Sequence, residues 1–403
     1  MQERSSSGKH GHLSTRPEKD AESRQLASVA ASFAVSIVND KENIDPSRLV
    51  ADRKSMIVHD DAEATPIIKH GCSSLGLREP LGRPTNEGDD SDFNPQDKCL
   101  EIRSTPDRGL AVFASRKIKA GTLILSERSL ITLCKEEEDD HAAIEREFSN
   151  LSRSNQKIYL KLFDAEKSRM SRVASIYYSN CYNLDSLTPD GRGGSALGNM
   201  ASRLNHSCIA NAQFSYDFDR KQLMFYAIRD IPRGREVCSN YEKNVFEAAI
   251  KRMQKLRMYY AFDCRCEACE GVQKNEFWGR SDERRKAMLY AFKQVQTCDK
   301  AFLNQQAENI RSNQELKDKV IDEAISALTR LEALLLKECL TGIVLANTCR
   351  SLSKWCERKQ RLVEAAKWKE KELQSCEMGL GSHAYRTREA AKKLAELGNQ
   401  LPI

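Results

Sequence analysis

The spacing of apolar residues divides the chain into three stretches of different character. Residues 1–95 are rich in Ser, Asp, Glu, Lys and Arg and show little sustained apolar periodicity, which predicts a mostly disordered N-terminal region. Within that region, residues 26–38 place apolar side chains on one helix face and predict a modest amphipathic helix. Sustained order is predicted to begin near Cys99.

The second stretch, residues 96–245, has the pattern of β-strands. Short apolar runs at residues 110–113 and 123–125 are separated by turn residues. The sequences AQFSYDF and LMFYAI lie on either side of the polar turn DRKQ and predict a β-hairpin that begins at Ala212. Between these strands, residues 135–172 open with the acidic run KEEEDD and are interpreted as a polar helical insert.

The third stretch, residues 273–403, has helical periodicity. Leu328, Leu331 and Leu335 fall on one helix face, and a later amphipathic run ends at a glycine before another Ala-rich segment. Consecutive helical hairpins predict a helical-repeat-like, all-α C-terminal domain, although no strict period is visible. The predicted fold class is therefore α+β.

Composition and charge narrow the classes of function. The net charge of +6 over 403 residues is only mildly basic, and no basic patch with interleaved aromatic residues is present, which argues against direct binding of nucleic acid. No run approaches the roughly 20 apolar residues of a membrane-spanning helix. Without a secretory signal, the 14 cysteines are expected in a reducing compartment, the nucleus or the cytoplasm. A monomer is expected.

Three cysteines, Cys264, Cys266 and Cys269, lie within six residues in FDCRCEACE. Thiolates at this spacing can surround one soft cation, and a fourth ligand would complete a tetrahedral zinc site. The nearest upstream candidates for that ligand are Cys208, Cys181 and Cys238, and Cys208 alone lies in a segment that itself resembles a site. Residues 246–272 are therefore predicted to be a zinc-bound segment.

The stretch RLNHSCIAN, residues 203–211, contains an amide, an imidazole, a hydroxyl and a thiol in four consecutive residues. Neighbouring side chains on a strand point to opposite faces, so we expect His206 and Cys208 not to act on one another. Their partners are predicted to come from elsewhere in the chain.

Several motifs in order resemble one family. RLNHSCIAN, YAIRDIPRGREVCSNY and YYAFDCRCEAC resemble the SET-domain protein-lysine methyltransferases, specifically the SMYD-like branch without its MYND zinc finger. Upstream, DRGLAVFASRKIKAGTLILSE and SNCY resemble further segments of the same family, so that the match spans about residues 99–270. The resemblance implies a β-rich, pseudoknotted SET domain followed by a zinc-bound post-SET segment.

The family resemblance also implies S-adenosylmethionine and Zn²⁺ as cofactors, and a protein substrate that offers a lysine side chain. Tyr241 is expected beside the transferred methyl group, with Tyr182 and Tyr260 as further walls of the lysine channel. The implied cofactor-binding residues are Arg108, Gly109, Leu110, Asn180, Ser202, Asn205, His206, Tyr241 and Phe262. The implied metal ligands are Cys208, Cys264, Cys266 and Cys269.

Two positions depart from the family pattern. Asp107 stands where the family usually has the first glycine of a G-x-G pair, and Ala210 stands where it usually has proline. Asp107 favours the alternative of a non-enzymatic, zinc-braced SET-like scaffold for protein interactions, whereas the joint presence of Asn205, His206, Tyr241 and Phe262 favours the enzyme. In the N-terminal region, Lys41, Glu42 and Asn43 resemble the KEN-type signal that ubiquitin ligases recognise; a solvated linker is the alternative.

Overall fold

The computed structural model describes residues 99–167, 170–242, 244–270, 275–307 and 314–400. The predictions for residues 1–95 lie outside the described residues, including the amphipathic helix and the KEN-like signal at Lys41, Glu42 and Asn43.

Eight short strands form three small antiparallel sheets in the described part of the chain. The first sheet pairs β1 with β2, the second has the order β3-β8-β7, and the third has the order β4-β6-β5. Their bounds are β1 Leu100–Thr105, β2 Gly109–Ala114, β3 Leu123–Arg128, β4 Ile131–Leu133, β5 Tyr182–Asn183, β6 Ser195–Leu197, β7 Ala212–Asp217 and β8 Gln222–Ala227.

The hairpin predicted from the alternation after Ala212 is confirmed. Strands β7 and β8 pair in antiparallel register, from Ala212 opposite Ala227 to Asp217 opposite Gln222. Asp217 Oδ1 accepts from the backbone N–H groups of Asp219 and Arg220 at 3.0 Å each, and so stabilises the turn between the strands.

The acidic run KEEEDD is not itself helical. Residues 135–139 form turns, and the helix begins only at His141, because Asp140 caps it by accepting from the N–H of Ala142 at 2.9 Å. The helices of this insert are α1 His141–Ser149, α2 Arg153–Tyr159 and α3 Arg172–Asn180. Ser152 and Ser171 cap α2 and α3 in the same way.

The C-terminal part is helical, as the apolar periodicity predicts. Its helices are α4 Ala249–Tyr260, α5 Glu267–Glu270, α6 Glu276–Gly279, α7 Ser281–Ala307, α8 Gln314–Lys337, α9 Ile343–Arg358, α10 Leu362–Leu380 and α11 Tyr385–Gly398. Leu328, Leu331 and Leu335 are fully buried along one face of α8, where they pack against α7 and α9 in one apolar core.

The helical part packs directly against the second sheet. Ser215 Oγ on β7 donates to the carbonyl of Leu380 at 2.8 Å, and Thr341 Oγ1 donates to the carbonyl of Ile228 at 3.0 Å. Both hydroxyls are in buried residues, so each bond satisfies polar groups that water does not reach. Across the described ranges, no helix combines the length and the apolar character needed to cross a bilayer.

Candidate functional site

The site forms where three segments of the chain meet. Residues 235–241 hydrogen-bond to β2 on one side, through the N–H of Val237 to the carbonyl of Val112 at 2.8 Å. On the other side, the N–H of Ser239 donates to the carbonyl of Asn205 at 3.0 Å, and the N–H of Ser207 donates back to Ser239 at 2.9 Å. The segment with RLNHSCIAN is thereby held in register with the segment that ends at Tyr241.

His206 connects these segments through both of its ring nitrogens. Its Nδ1 accepts from the backbone N–H of Tyr241 at 3.0 Å, so a neutral imidazole carries its proton on Nε2. Nε2 lies 3.2 Å from Sγ of Cys208 and therefore donates to that sulfur. His206 is 4% exposed, and both of its polar atoms are satisfied.

This contact corrects the expectation that His206 and Cys208 do not interact. The two residues are separated by Ser207, and the chain turns at Cys208, so the alternation of side chains along a strand does not apply to this pair. His206 acts on Cys208 as a hydrogen-bond donor to its sulfur.

The four cysteines predicted as metal ligands lie together. The Sγ atoms of Cys208, Cys264, Cys266 and Cys269 all lie within 4.8 Å of one another. Of the three upstream candidates for the fourth ligand, Cys208 is the one in this group, although 56 residues separate it from Cys264.

The geometry and the donor set of this cysteine site fit zinc. A tetrahedral ion with Zn–S bonds of about 2.3 Å separates its sulfurs by about 3.8 Å. Sγ of Cys208 lies 3.9 Å from Sγ of Cys264 and 3.6 Å from Sγ of Cys269. Hydrogen bonds from the Cys264 and Cys266 thiols lower the pKa of Cys208 below the ordinary thiol value, which favours the thiolate, the form that binds metal.

The end of helix α4 presents a group of aromatic rings beside the cysteine site. The helix ends at Tyr260, and the left-handed conformation of the next residue, Ala261 (φ 59°), turns the chain sharply between Tyr260 and Phe262. The Tyr241 ring centroid lies 5.1 Å from that of Tyr260 and 6.4 Å from that of Phe262. His206 joins this group, with its ring centroid 5.3 Å from that of Tyr241.

Burial keeps the three predicted channel tyrosines neutral. It raises the pKa of Tyr241, Tyr182 and Tyr260 well above the ordinary phenol value. The Tyr241 hydroxyl donates to the carbonyl of Leu204 at 2.8 Å, and the Tyr182 hydroxyl donates to the carbonyl of Ala201 at 3.0 Å. Tyr182 packs against Phe214 and Phe225 in the β-core and interacts electrostatically with Tyr241 and Tyr260.

A second polar cluster lies at the start of β2. Glu236 accepts from Arg108 Nη2 at 2.8 Å and from Asn205 Nδ2 at 2.9 Å, so both carboxylate oxygens are engaged. The amide oxygen of Asn205 is then turned away from Glu236. Gly109 adopts a positive φ of 64°, and a Cβ at this position would meet no atom within 4 Å, so the space in front of it is open.

The remaining predicted site residues make local contacts. Asn180 Nδ2 donates to the carbonyls of Phe163 and Ile176 at 2.7 Å each, the Ser202 hydroxyl donates to the carbonyl of Gly198, and Leu110 is exposed. Asp107 is not among the residues with positive φ, so the turn accommodates a side chain there. Its carboxylate lies 3.8 Å from both Arg108 and Arg265.

Three residues that the sequence did not single out support the site. Glu127 accepts from the N–H groups of Met200 and Ala201 and so holds the turn that leads into RLNHSCIAN. Arg252 donates to the cysteine sulfurs, and Arg285 Nη2 donates to the carbonyl of Cys208 at 3.2 Å. Each is one charged residue among many in a polar sequence, so no local pattern distinguishes it.

Comparison with known proteins agrees with this geometry. Residues 109–242 match the family model described as the SET domain. The chain is 29% identical over 199 residues to the histone-lysine N-methyltransferase set5 of Schizosaccharomyces pombe, a match that covers 49% of this chain and 59% of that protein. It is 28% identical over 152 residues to the human histone-lysine N-methyltransferase SMYD3, with 34% of each chain covered.

A third relative is the protein-lysine N-trimethyltransferase SMYD5 of Gallus gallus, 36% identical over 78 residues, with 19% of each chain covered. The matches thus span 59% or less of the length of each of these relatives. Residues 109–242 thus match the SET domain, and the chain is similar to protein-lysine methyltransferases that include SMYD-type enzymes.

Proposed function

We propose that this protein transfers the methyl group of S-adenosylmethionine to the side-chain amine of lysine in a protein substrate. The observation that carries this assignment is the convergence of Tyr241, Tyr260 and Phe262 around His206, at the junction of the segments that match the SET domain. When bound, S-adenosylmethionine supplies a methyl group activated by its sulfonium. The chain's own residues supply orientation, exclusion of water and electrostatics.

The cofactor fits on the side of the site where Gly109 leaves open space. Arg108, Gly109 and Leu110 would face its methionine part, because the missing Cβ at Gly109 lets the backbone approach closely. Glu236 accepts a hydrogen bond from Nδ2 of Asn205. The amide oxygen of Asn205 then faces away from Glu236 and can accept a hydrogen bond from the amino group of the cofactor. Phe262 would stack against the adenine, with Asn180, Ser202 and His206 in the adjoining wall.

Tyr241 would orient the substrate amine. Its phenol proton is committed to the carbonyl of Leu204, so its oxygen is free to accept a hydrogen bond from the amine and direct the nitrogen lone pair. Because its pKa is raised by burial, Tyr241 remains neutral and does not act as a base. The rings of Tyr182 and Tyr260 would enclose the amine, and this apolar enclosure lowers the pKa of the substrate lysine towards its neutral, nucleophilic form.

We assign zinc to Cys208, Cys264, Cys266 and Cys269, in a closed four-sulfur site with a structural role. Cys208 belongs to the RLNHSCIAN segment, whereas the other three belong to the segment that carries Phe262. A metal bound to all four would therefore fix the Phe262 ring relative to His206. We assign residues 96–245 to the SET domain, 246–272 to the zinc segment and 273–403 to a helical domain.

The substrate class is proposed from the relatives. Two of the three are named as histone-lysine methyltransferases and the third as a protein-lysine trimethyltransferase, so histone and non-histone proteins both fit. Methylation of histones would require action in the nucleus. The alternative of a scaffold without cofactor loses its main support, because Asp107 lies in a turn without positive φ and faces two arginines.

Transfer of a labelled methyl group from S-adenosylmethionine into the proteins of a cell lysate tests this function. We expect labelling by the wild type and its loss in Tyr241→Phe, which removes the oxygen that orients the amine. Cys264→Ser should also abolish labelling, because it releases the segment with Tyr260 and Phe262.

The matched control for these variants is Tyr385→Phe, which removes the hydroxyl of a tyrosine that is 38% exposed on α11. It should label as the wild type does. Wild-type labelling that persists in Tyr241→Phe would remove this residue from the mechanism, and the absence of any labelling by the zinc-loaded wild type would contradict the proposed activity.

A further inference from the structure

One buried arginine reaches the sulfur atoms of the cysteine site. Arg252, on helix α4, is 1% exposed. Its Nε donates to Sγ of Cys208 at 3.2 Å, and its Nη2 donates to Sγ of Cys269 at 3.4 Å. The remaining donors bind the backbone carbonyls of Ala268, at 3.0 Å, and Glu247, and Nη1 also lies 3.8 Å from the carboxylate of Asp282. The guanidinium therefore bridges Cys208, from the RLNHSCIAN segment, and Cys269, from the segment that carries the other three cysteines.

The charge of the site explains why a cation is needed there. Four thiolates around one divalent cation carry a net charge of −2, and a buried charge is costly unless it is paired. His206 donates to Cys208 as a neutral ring. Arg285 approaches the backbone of Cys208, but its Nε is paired with the buried carboxylate of Glu338 at 2.8 Å. Among the described residues, Arg252 is the cationic side chain whose donors reach the sulfurs.

We propose that Arg252 is the outer-sphere counter-ion of the zinc site. Its positive charge offsets part of the excess negative charge of the four thiolates, and its two N–H···S bonds fix Cys208 and Cys269 in the orientation that binds the metal. Arg252 is thus a positioning residue that sets how tightly the protein retains zinc. This inference rests on the proposed zinc site.

The metal affinity of variants at Arg252 tests the role. Zinc dissociation constants would be measured by competition with a chromophoric chelator, on the full chain. Loss of an outer-shell partner commonly lowers metal affinity by about 10–100-fold, and we expect Arg252→Gln to fall in this range. Arg252→Lys keeps the charge and should lose less than about 10-fold. Lys251→Gln, at the adjacent exposed position on the same helix, is the matched control and should bind zinc as the wild type does.

Cobalt provides a readout that a merely structural role would not change. With Co²⁺ at the site, the sulfur-to-cobalt charge-transfer band should move to lower energy in Arg252→Gln, because N–H···S bonds stabilise the sulfur lone pairs. Arg252→Lys should show a smaller shift and also serves if the glutamine variant does not fold.

Three outcomes separate this inference from the proposed function. If the wild type binds zinc and Arg252→Gln binds it equally tightly with an unchanged cobalt band, the counter-ion role is refuted. The counter-ion role is also refuted if Arg252→Lys binds zinc as weakly as Arg252→Gln, because the positive charge would then not contribute to zinc affinity. If the wild type binds no zinc, the metal site itself fails, and the inference fails with it.

Discussion

Removing the charge of Glu338 should strongly destabilise the folded protein, because Glu338 lies at the centre of a buried ionic cluster. Its carboxylate is fully buried and accepts from Arg284 Nε at 2.7 Å, from Arg285 Nε at 2.8 Å and from the Ser281 hydroxyl. Glu338→Gln keeps the shape of the side chain but removes the negative charge. The equally buried guanidinium of Arg285 would then lose its counter-ion.

The size of the effect follows from this burial. Breaking a buried ion pair on one side costs about 3–5 kcal/mol in the free energy of unfolding. With a urea dependence of about 3 kcal/mol per molar, the unfolding midpoint should fall by about 1–1.7 M. Glu283→Gln is the matched control on helix α7: its carboxylate is 68% exposed and pairs with Arg280 at 3.1 Å. An exposed pair contributes less than about 1 kcal/mol, so this midpoint should move by less than about 0.3 M.

Tryptophan fluorescence is the appropriate assay for this comparison. All three tryptophans of the chain, Trp278, Trp355 and Trp368, lie in the helical part, so their emission reports its unfolding. Arg284 also stacks over the Phe277 ring at 4.2 Å and lies beside Trp278, which places one reporter next to the cluster. A midpoint for Glu338→Gln that equals that of Glu283→Gln would refute the view that this cluster stabilises the helical part.

Two further predictions concern charge. Burial, reinforced by the positive charges of Arg350 and Lys369, lowers the pKa of Lys354 to about 7. Between pH 7 and 10 the unfolded chain therefore binds a proton that the folded chain has lost, so the free energy of unfolding should rise with pH. The urea unfolding midpoint, measured at pH 7, 8 and 9, should rise with pH in the wild type and in the exposed control Lys367→Met, and should rise less steeply in Lys354→Met. The same pH dependence in all three proteins would contradict the lowered pKa of Lys354. Asp107→Asn should leave methyl transfer and cofactor affinity within about 2-fold of the wild type, because the exposed contacts of Asp107 with Arg108 and Arg265 are long; a large loss in a transfer assay would show that this carboxylate takes part.

Local patterns predicted those parts of the fold that depend on neighbours in the chain. The alternation around DRKQ is enough to predict the β7–β8 hairpin, and the spacing of Leu328, Leu331 and Leu335 is enough to predict the buried face of α8. The acidic run was less informative, because Asp140 is a helix cap and the residues before it form turns. The spacing of Cys264, Cys266 and Cys269 predicted a metal site on chemical grounds alone.

The contacts that complete the candidate site connect residues far apart in the sequence. Arg252 reaches Cys208 across 44 residues, and Arg285 reaches the same residue across 77. Whether an arginine in a polar helix is buried depends on which residues pack over it, and the local sequence of the helix does not predict this. The contact between His206 and Cys208 was misjudged for a simpler reason, because the alternation of side chains along a strand does not hold where the chain turns at Cys208.

Binding of S-adenosylmethionine to the zinc-loaded full chain, measured by isothermal titration calorimetry, tests the central claim most directly. We predict one molecule bound per chain, with Phe262→Ala weakening the affinity by about 30-fold, equivalent to about 2 kcal/mol of lost stacking and burial. Phe218→Ala, which removes an exposed ring on the loop between β7 and β8, should leave the affinity unchanged. Absence of binding to the zinc-loaded wild type, or equal affinities for the wild type and Phe262→Ala, would contradict the account.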